Sequence, residues 1–145
     1  MDMRKVVEEH LYNLAKDEAS LDRMQEQITA LETERSAIRA ARTDGDPVSG
    51  GGNGRSEWLD NNIQQREYLT LRIRAVELRV HAVREALGQL SPEQQKILDV
   101  FFIHRISRPE EYLAACLNMD RATVFRKRSW AVRDLARYLY GGIEV

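Results

Sequence analysis

Apolar residues recur every seven positions over residues 7–38, with Val7, Leu14, Leu21 and Ile28 at one heptad position and Met24, Leu31 and Ile38 at the other. That rhythm predicts a long helix carrying a coiled-coil stripe. His10, Asp17 and Arg35 fall in the seam, so its packing is expected to be locally wet, and the other faces carry the Glu, Asp, Arg and Lys of a solvated surface. A second helix is predicted over residues 56–87. Its stripe is cleaner: Leu69, Ile73, Val76, Val80, Val83, Leu87 and Leu90 alternate spacings of four and three. Neither segment holds an internal proline or glycine, and Ser56 is a plausible N-cap for the second. Two matching stripes imply mutual burial, either as an antiparallel hairpin within one chain or between chains in a dimer.

Between them lies a glycine-rich stretch at about residues 43–55, containing S-G-G-G-N-G-R-S. It resembles a phosphate-binding loop with two changes, Ser49 for the first glycine and Arg55 for the lysine. A nucleotide loop needs a strand before it and a later strand ending in an aspartate for magnesium. Neither is legible, so the segment is expected to be a flexible link that lets the two helices fold back.

At Ser91 the pattern changes to shorter helices. The sequence S-P-E-Q places Ser91 at an N-cap, Pro92 at the first helical position and Gln94 where it completes a capping box. A helix is expected over 92–104 with Ile97, Leu98, Phe101 and Phe102 on or near its buried face. After a break at I-S-R-P, a second is expected over 109–117. Asn118 and Met119 then form a turn, Asp120 caps a third helix running to about residue 139, and Gly141 and Gly142 end it.

Residues 111–139 meet the physical demands of a helix-turn-helix. Ala114 and Ala115 are the small residues expected at the helix crossing. Asn118 tolerates the left-handed backbone of the turn, and Met119 is placed to plug the core beneath it. Val124, Ala131 and Leu135 share the inner face of the last helix. Cys116, after two alanines, is expected to lie in the core at the crossing.

Charge sharpens the picture only when it is mapped. The 145-residue chain has a net charge of -1 and 31% charged residues. Residues 120–139, however, hold six basic side chains against two acidic ones, whereas residues 1–42 hold seven basic and nine acidic. A basic head on an acidic stalk is the electrostatic footprint of nucleic-acid binding. A basic helix is often only a solvated helix, and it is the coincidence of capping, turn and core spacing that favours binding.

Opposite Val124 at 100° per residue stand Ala122, Arg126, Ser129 and Arg133, flanked by Arg121, Thr123, Phe125 and Trp130. Arg121, Ala122, Thr123 and Arg126, at the start of the recognition helix, are the expected base contacts, arginine being suited to guanine O6 and N7. Lys127, Ser129, Trp130 and Arg133 are expected at the DNA backbone. Trp130 has an alternative place packed on the preceding helix. Arg128 lies close to the Val124 direction, where an internal ion pair is expected.

Other chemistry is poorly represented. A single cysteine excludes an internal disulfide, and His10, His81 and His104 lack partners at metal-ligand spacing, so no metal site is expected. No nucleophile, base and orienter set is legible, so no catalytic residue, cofactor or enzymatic activity is expected. The start M-D-M-R-K-V-V-E-E-H lacks the apolar core of an export signal, and the longest apolar stretch, I-L-D-V-F-F-I, is too short to span a bilayer. A cytoplasmic protein without membrane contact is therefore expected.

The span S-P-E-Q-Q-K-I-L, followed by A-A-C-L-N-M-D-R-A-T-V-F-R-K-R and A-V-R-D-L-A, resembles the region-4-like helix-turn-helix of sigma factors. The layout of a long helical first half, a glycine-rich middle and this final module resembles phage-encoded late-gene transcriptional regulators of the ArpU/RinA type. That resemblance implies a sequence-specific, double-stranded-DNA-binding activator of packaging and structural genes, acting with host RNA polymerase in a bacterial cell. No glycine occupies the turn and nothing corresponds to a promoter-melting region, so a complete sigma factor is not expected.

The expectation is thus an all-α chain in two parts. Residues 1–90 form a two-helix coiled-coil hairpin through which the chain self-associates, and residues 91–145 form a helix-turn-helix domain. The alternatives are a DNA-packaging component such as a small terminase subunit, whose DNA-binding module usually comes first, and a scaffold without DNA affinity.

Overall fold

In a computed structural model of the chain, residues 2–43 and 52–141 are described. They are all helical, with no strand among them. The elements are α1 (Met3–Thr43), α2 (Gly52–Gly88), α3 (Pro92–Leu98) continued by a π-helical turn (Asp99–Ile103), α4 (Pro109–Leu117) and α5 (Arg121–Tyr140). Two compact units emerge, and their boundary is not at residue 90. One comprises Met1–Glu18 and Leu78–Val145, the other Ala19–Glu77.

In the Ala19–Glu77 unit the two stripes meet within the chain. Leu21, Met24, Ile28, Leu31 and Ile38 are partly buried, as are Leu69 and Ile73, and Val76 is buried. A polar residue sits in this seam. Asn62, 3% exposed, donates from Nδ2 to the Leu31 carbonyl at 3.0 Å and accepts from Arg66 Nε at 2.8 Å. Both ends of the amide are used, so its burial costs little. A one-turn slip of the helices would leave it unpaired, which makes Asn62 a register pin of the kind polar residues provide in coiled-coil seams.

The start of α2 departs from the sequence expectation. The helix begins at Gly52, so residues 52–55 are helical rather than part of a loop, and Ser56 lies inside α2 instead of capping it. Glycine opposes a helix through entropy and not through sterics, so the run does not by itself set the boundary. The rest of the expected loop, residues 44–51, lies outside the described residues.

The other unit is built around a core that sequence periodicity divides between two domains. Val7, Leu11 and Leu14 of α1 and Val83, Ala86 and Leu87 of α2 join Leu90, Leu98, Phe102, Ile103, Ala131, Val132, Leu135 and Ala136 in a single buried cluster. Leu11, not His10, takes the seam position. His10 is partly exposed, and its Nε2 lies 2.6 Å from the Tyr140 hydroxyl. Asp17 and Glu18 meet Arg79 and Arg84 at 3.4 and 2.6 Å, so the wet part of the seam carries cross-helix ion pairs.

The turn after Leu90 forms as its residues dictate. Ser91 Oγ accepts from the Gln94 backbone N–H at 3.2 Å, while Gln94 Oε1 accepts from the Ser91 backbone N–H at 3.2 Å. The same Gln94 donates from Nε2 to Asp134 at 2.8 Å, tying the cap to α5. Ser91→Ala is expected to lower stability by about 1 kcal/mol, read as a lower urea midpoint with unchanged slope.

Helix α3 runs on as a π-helical turn, in which His104 N–H reaches the Asp99 carbonyl at 2.8 Å. The wider turn buries Val100, Phe102 and Ile103 together and leaves Phe101 half-buried, shared by two cores. The second of these, Ile97, Val100, Leu113 and Val124, seats α4 and α5 on α3. Between π-turn and α4, Arg105 and Arg108 adopt positive φ of 39° and 51°. The Arg105 guanidinium lies 4.0 Å from the Tyr12 ring centre, a cation–π contact that offsets part of that backbone cost.

Candidate nucleic-acid interface

Helices α4 and α5 are joined by three residues whose conformations follow from their chemistry. Asn118 is left-handed at φ 52°, ψ 53°, a region that asparagine enters more readily than most side chains. Met119 packs against the second core from below the turn. Asp120, extended at φ -80°, ψ 167°, accepts the Thr123 backbone N–H at 2.8 Å and so caps α5. The Thr123 side chain and this backbone N–H, with Arg126 nearby, hold the Asp120 carboxyl below its usual range. At the far end Gly141, at φ 69°, closes α5.

Val124, Ala131 and Leu135 are fully buried, joined by Val132 and Ala136, so the inner face of α5 lies where its spacing predicts. Within α4, Leu113 is buried while Ala114 and Leu117 are partly buried, and this stripe turns Ala115 and Cys116 outward. Cys116 is therefore an exposed thiol and not a core residue, and only Ala114 serves the helix contact. The angular reason is that Cys116 and Ala115 lie more than about 100° from the middle of the Leu113, Ala114 and Leu117 sector.

The eight expected contact residues separate into two groups. Arg126, Ala122 and Trp130 are exposed, Trp130 by 48%, and Ser129 and Arg133 are partly exposed beside them. Arg137, which sequence reading counted toward the charge but did not assign to the site, stands on the same face. At 100° per residue Arg126, Arg133 and Arg137 fall within a sector about 40° wide. None of the three is in an ion pair among the described residues, and Arg133 Nε is buried without an acceptor.

The other group is occupied within the protein. Arg121, an expected base contact, is ion-paired with Glu111 of α4, which Arg108 also approaches at 3.7 Å. Lys127, expected at a phosphate, reaches back to Glu93 of α3 at 2.5 Å. Thr123 is partly buried and engaged with Asp120 and Arg126. The partners of Arg121 and Lys127 come from other helices, which is why helical projection of α5 alone does not reveal them.

Arg128 also differs from expectation. Instead of an ion pair it finds three phenylalanines, with its guanidinium 5.0, 6.0 and 5.2 Å from the ring centres of Phe101, Phe102 and Phe125. The π-helical turn brings Phe101 and Phe102 to this spot. The result is a cationic plug that binds α5 to the turn after α3.

Neither a known protein family, nor a curated protein, nor a solved structure matches this chain. Among the described residues no group of three or more His, Cys, Asp or Glu is arranged to hold a metal ion. No helix among them is long and apolar enough to cross a membrane.

Proposed function

We propose that the chain is a sequence-specific DNA-binding transcription regulator, with α4 and α5 acting as a helix-turn-helix and α5 entering the major groove of double-stranded DNA. The observation that carries this reading is the face of α5 on which Arg126, Arg133 and Arg137 stand in one sector, none of them in a salt bridge among the described residues, beside an exposed Trp130. The helix's other cations, Arg121, Lys127 and Arg128, are consumed by Glu111, Glu93 and the phenylalanines.

The remaining elements serve this face. The N-cap at Asp120 and the turn at Asn118 fix the angle at which α5 leaves α4, and the second core holds both against α3. An arginine near the start of such a helix fits the paired acceptors of guanine. On the resemblance to phage late-gene regulators, the DNA is a promoter region for packaging and structural genes, the cell is bacterial, and host RNA polymerase is the second partner. The proposed role is non-enzymatic and needs no cofactor.

The test is selection of bound duplexes from random DNA, followed by titration of the selected site. Arg126→Ala is expected to weaken the selected site by about 1 to 3 kcal/mol and to relax choice at one base pair. Failure of the native protein to enrich any sequence overturns the reading. Light scattering separates the alternative: a ring of eight or more copies indicates a packaging component, a monomer or dimer a regulator.

A further inference from the structure

Arg126 does not hang free on its exposed face. Its Nη2 donates to Thr123 Oγ1 at 3.2 Å, one helical turn back. Thr123 in turn donates its backbone N–H to the Asp120 carboxylate at 2.8 Å. The threonine hydroxyl is suited to this place because its oxygen accepts from the guanidinium while the backbone N–H of the same residue serves the cap. The cap of α5 is thereby linked through Thr123 to the guanidinium.

We propose that Thr123 is a positioning residue, which with Asp120 holds Arg126 ready to read one guanine, and that it touches no base itself. This inference rests on the DNA-binding reading. Two observations separate it from a general helix-cap role. Arg121, the other arginine at this end of α5, is drawn off by Glu111, so Arg126 is left as the guanine reader there. Arginine also carries much rotamer freedom, and fixing it before binding removes a cost otherwise met at the interface. Lost positioning therefore falls on base choice, whereas phosphate contacts, which carry no sequence information, are spared.

The experiment compares native protein with Thr123→Val, Thr123→Ser and Arg126→Ala on the selected duplex, on duplexes substituted at each base pair, and on random DNA. Valine matches threonine in shape and lacks the hydroxyl. Thr123→Val is expected to lower the preference for guanine at the Arg126-dependent position about five- to tenfold, with random-DNA affinity unchanged. Thr123→Ser is expected to restore most of it. Circular dichroism melts of each variant show whether the fold is kept.

If Arg126→Ala abolishes the preference at one position and Thr123→Val leaves it intact, the positioning role is overturned while the DNA-binding reading stands. If Thr123→Val lowers specific and random binding equally, the role is also overturned, since a weakened helix would do the same. If the native protein selects no sequence, both fall together.

Discussion

Leu11→Ala is expected to destabilise the C-terminal helices by about 2 to 5 kcal/mol, although residue 11 lies at the other end of the chain. Leu11 is fully buried, in the same cluster as Leu98, Phe102, Leu135 and Ala136. Truncation there removes three carbons from a core that α3 and α5 cannot refill from their own residues. Denaturation in urea followed by Trp130 fluorescence, in a Trp58→Phe background so that α5 alone reports, measures the effect. Residues 91–145 alone make the same point more severely. They lack Val7, Leu11, Leu14, Val83, Ala86, Leu87 and Leu90, and no cooperative transition is expected from them. A cooperative unfolding transition in that fragment would show that the module does not need the helical ends packed on it.

The expected domain boundary at residue 90 and the observed units illustrate what periodicity can and cannot convey. Spacing tells which face of a helix is buried, because the 3.6-residue turn is a local property. The inward face of α2 is legible in this way, from Leu69 to Leu87. Caps and turns are equally local, and Ser91, Asn118, Asp120 and Gly141 each adopt the conformation their side chains favour. What spacing cannot tell is the partner. Val7 and Leu14 were legible as a coiled-coil stripe, yet they pack against α2 and the final helices together.

The candidate site divides along the same line. The outward face of α5, with Ala122, Arg126, Ser129 and Arg133, follows from its inner spacing. The pairs Arg121 with Glu111 and Lys127 with Glu93 span 10 and 34 positions and depend on how three helices cross. Arg128 depends on the π-helical turn, which no simple periodicity announces. Arg137 was counted in the charge balance, but its place on the face becomes evident only once the nearer cations are seen to be spent.

On the proposed DNA-binding reading, that redistribution changes which arginines govern the salt dependence. Arg133→Ala with Arg137→Ala is expected to reduce the slope of log affinity against log salt by about two, and Lys127→Ala to leave it nearly unchanged. Each phosphate contact on duplex DNA contributes about 0.9 to the slope, so at 0.1 M salt each is worth roughly eightfold in affinity, and the pair about sixtyfold. Arg133 is suited to such a contact because its stem is partly buried, so less side-chain freedom is lost when it meets a phosphate. Lys127 already has its countercharge in Glu93, and a phosphate gains little from a cation that must first leave a carboxylate. Titrations of random duplex DNA from 50 to 200 mM salt distinguish the two variants directly. An unchanged slope in the double arginine variant, with a lowered one in Lys127→Ala, would move the backbone contact to the α3 side of α5 and require the helix to meet DNA on a different face.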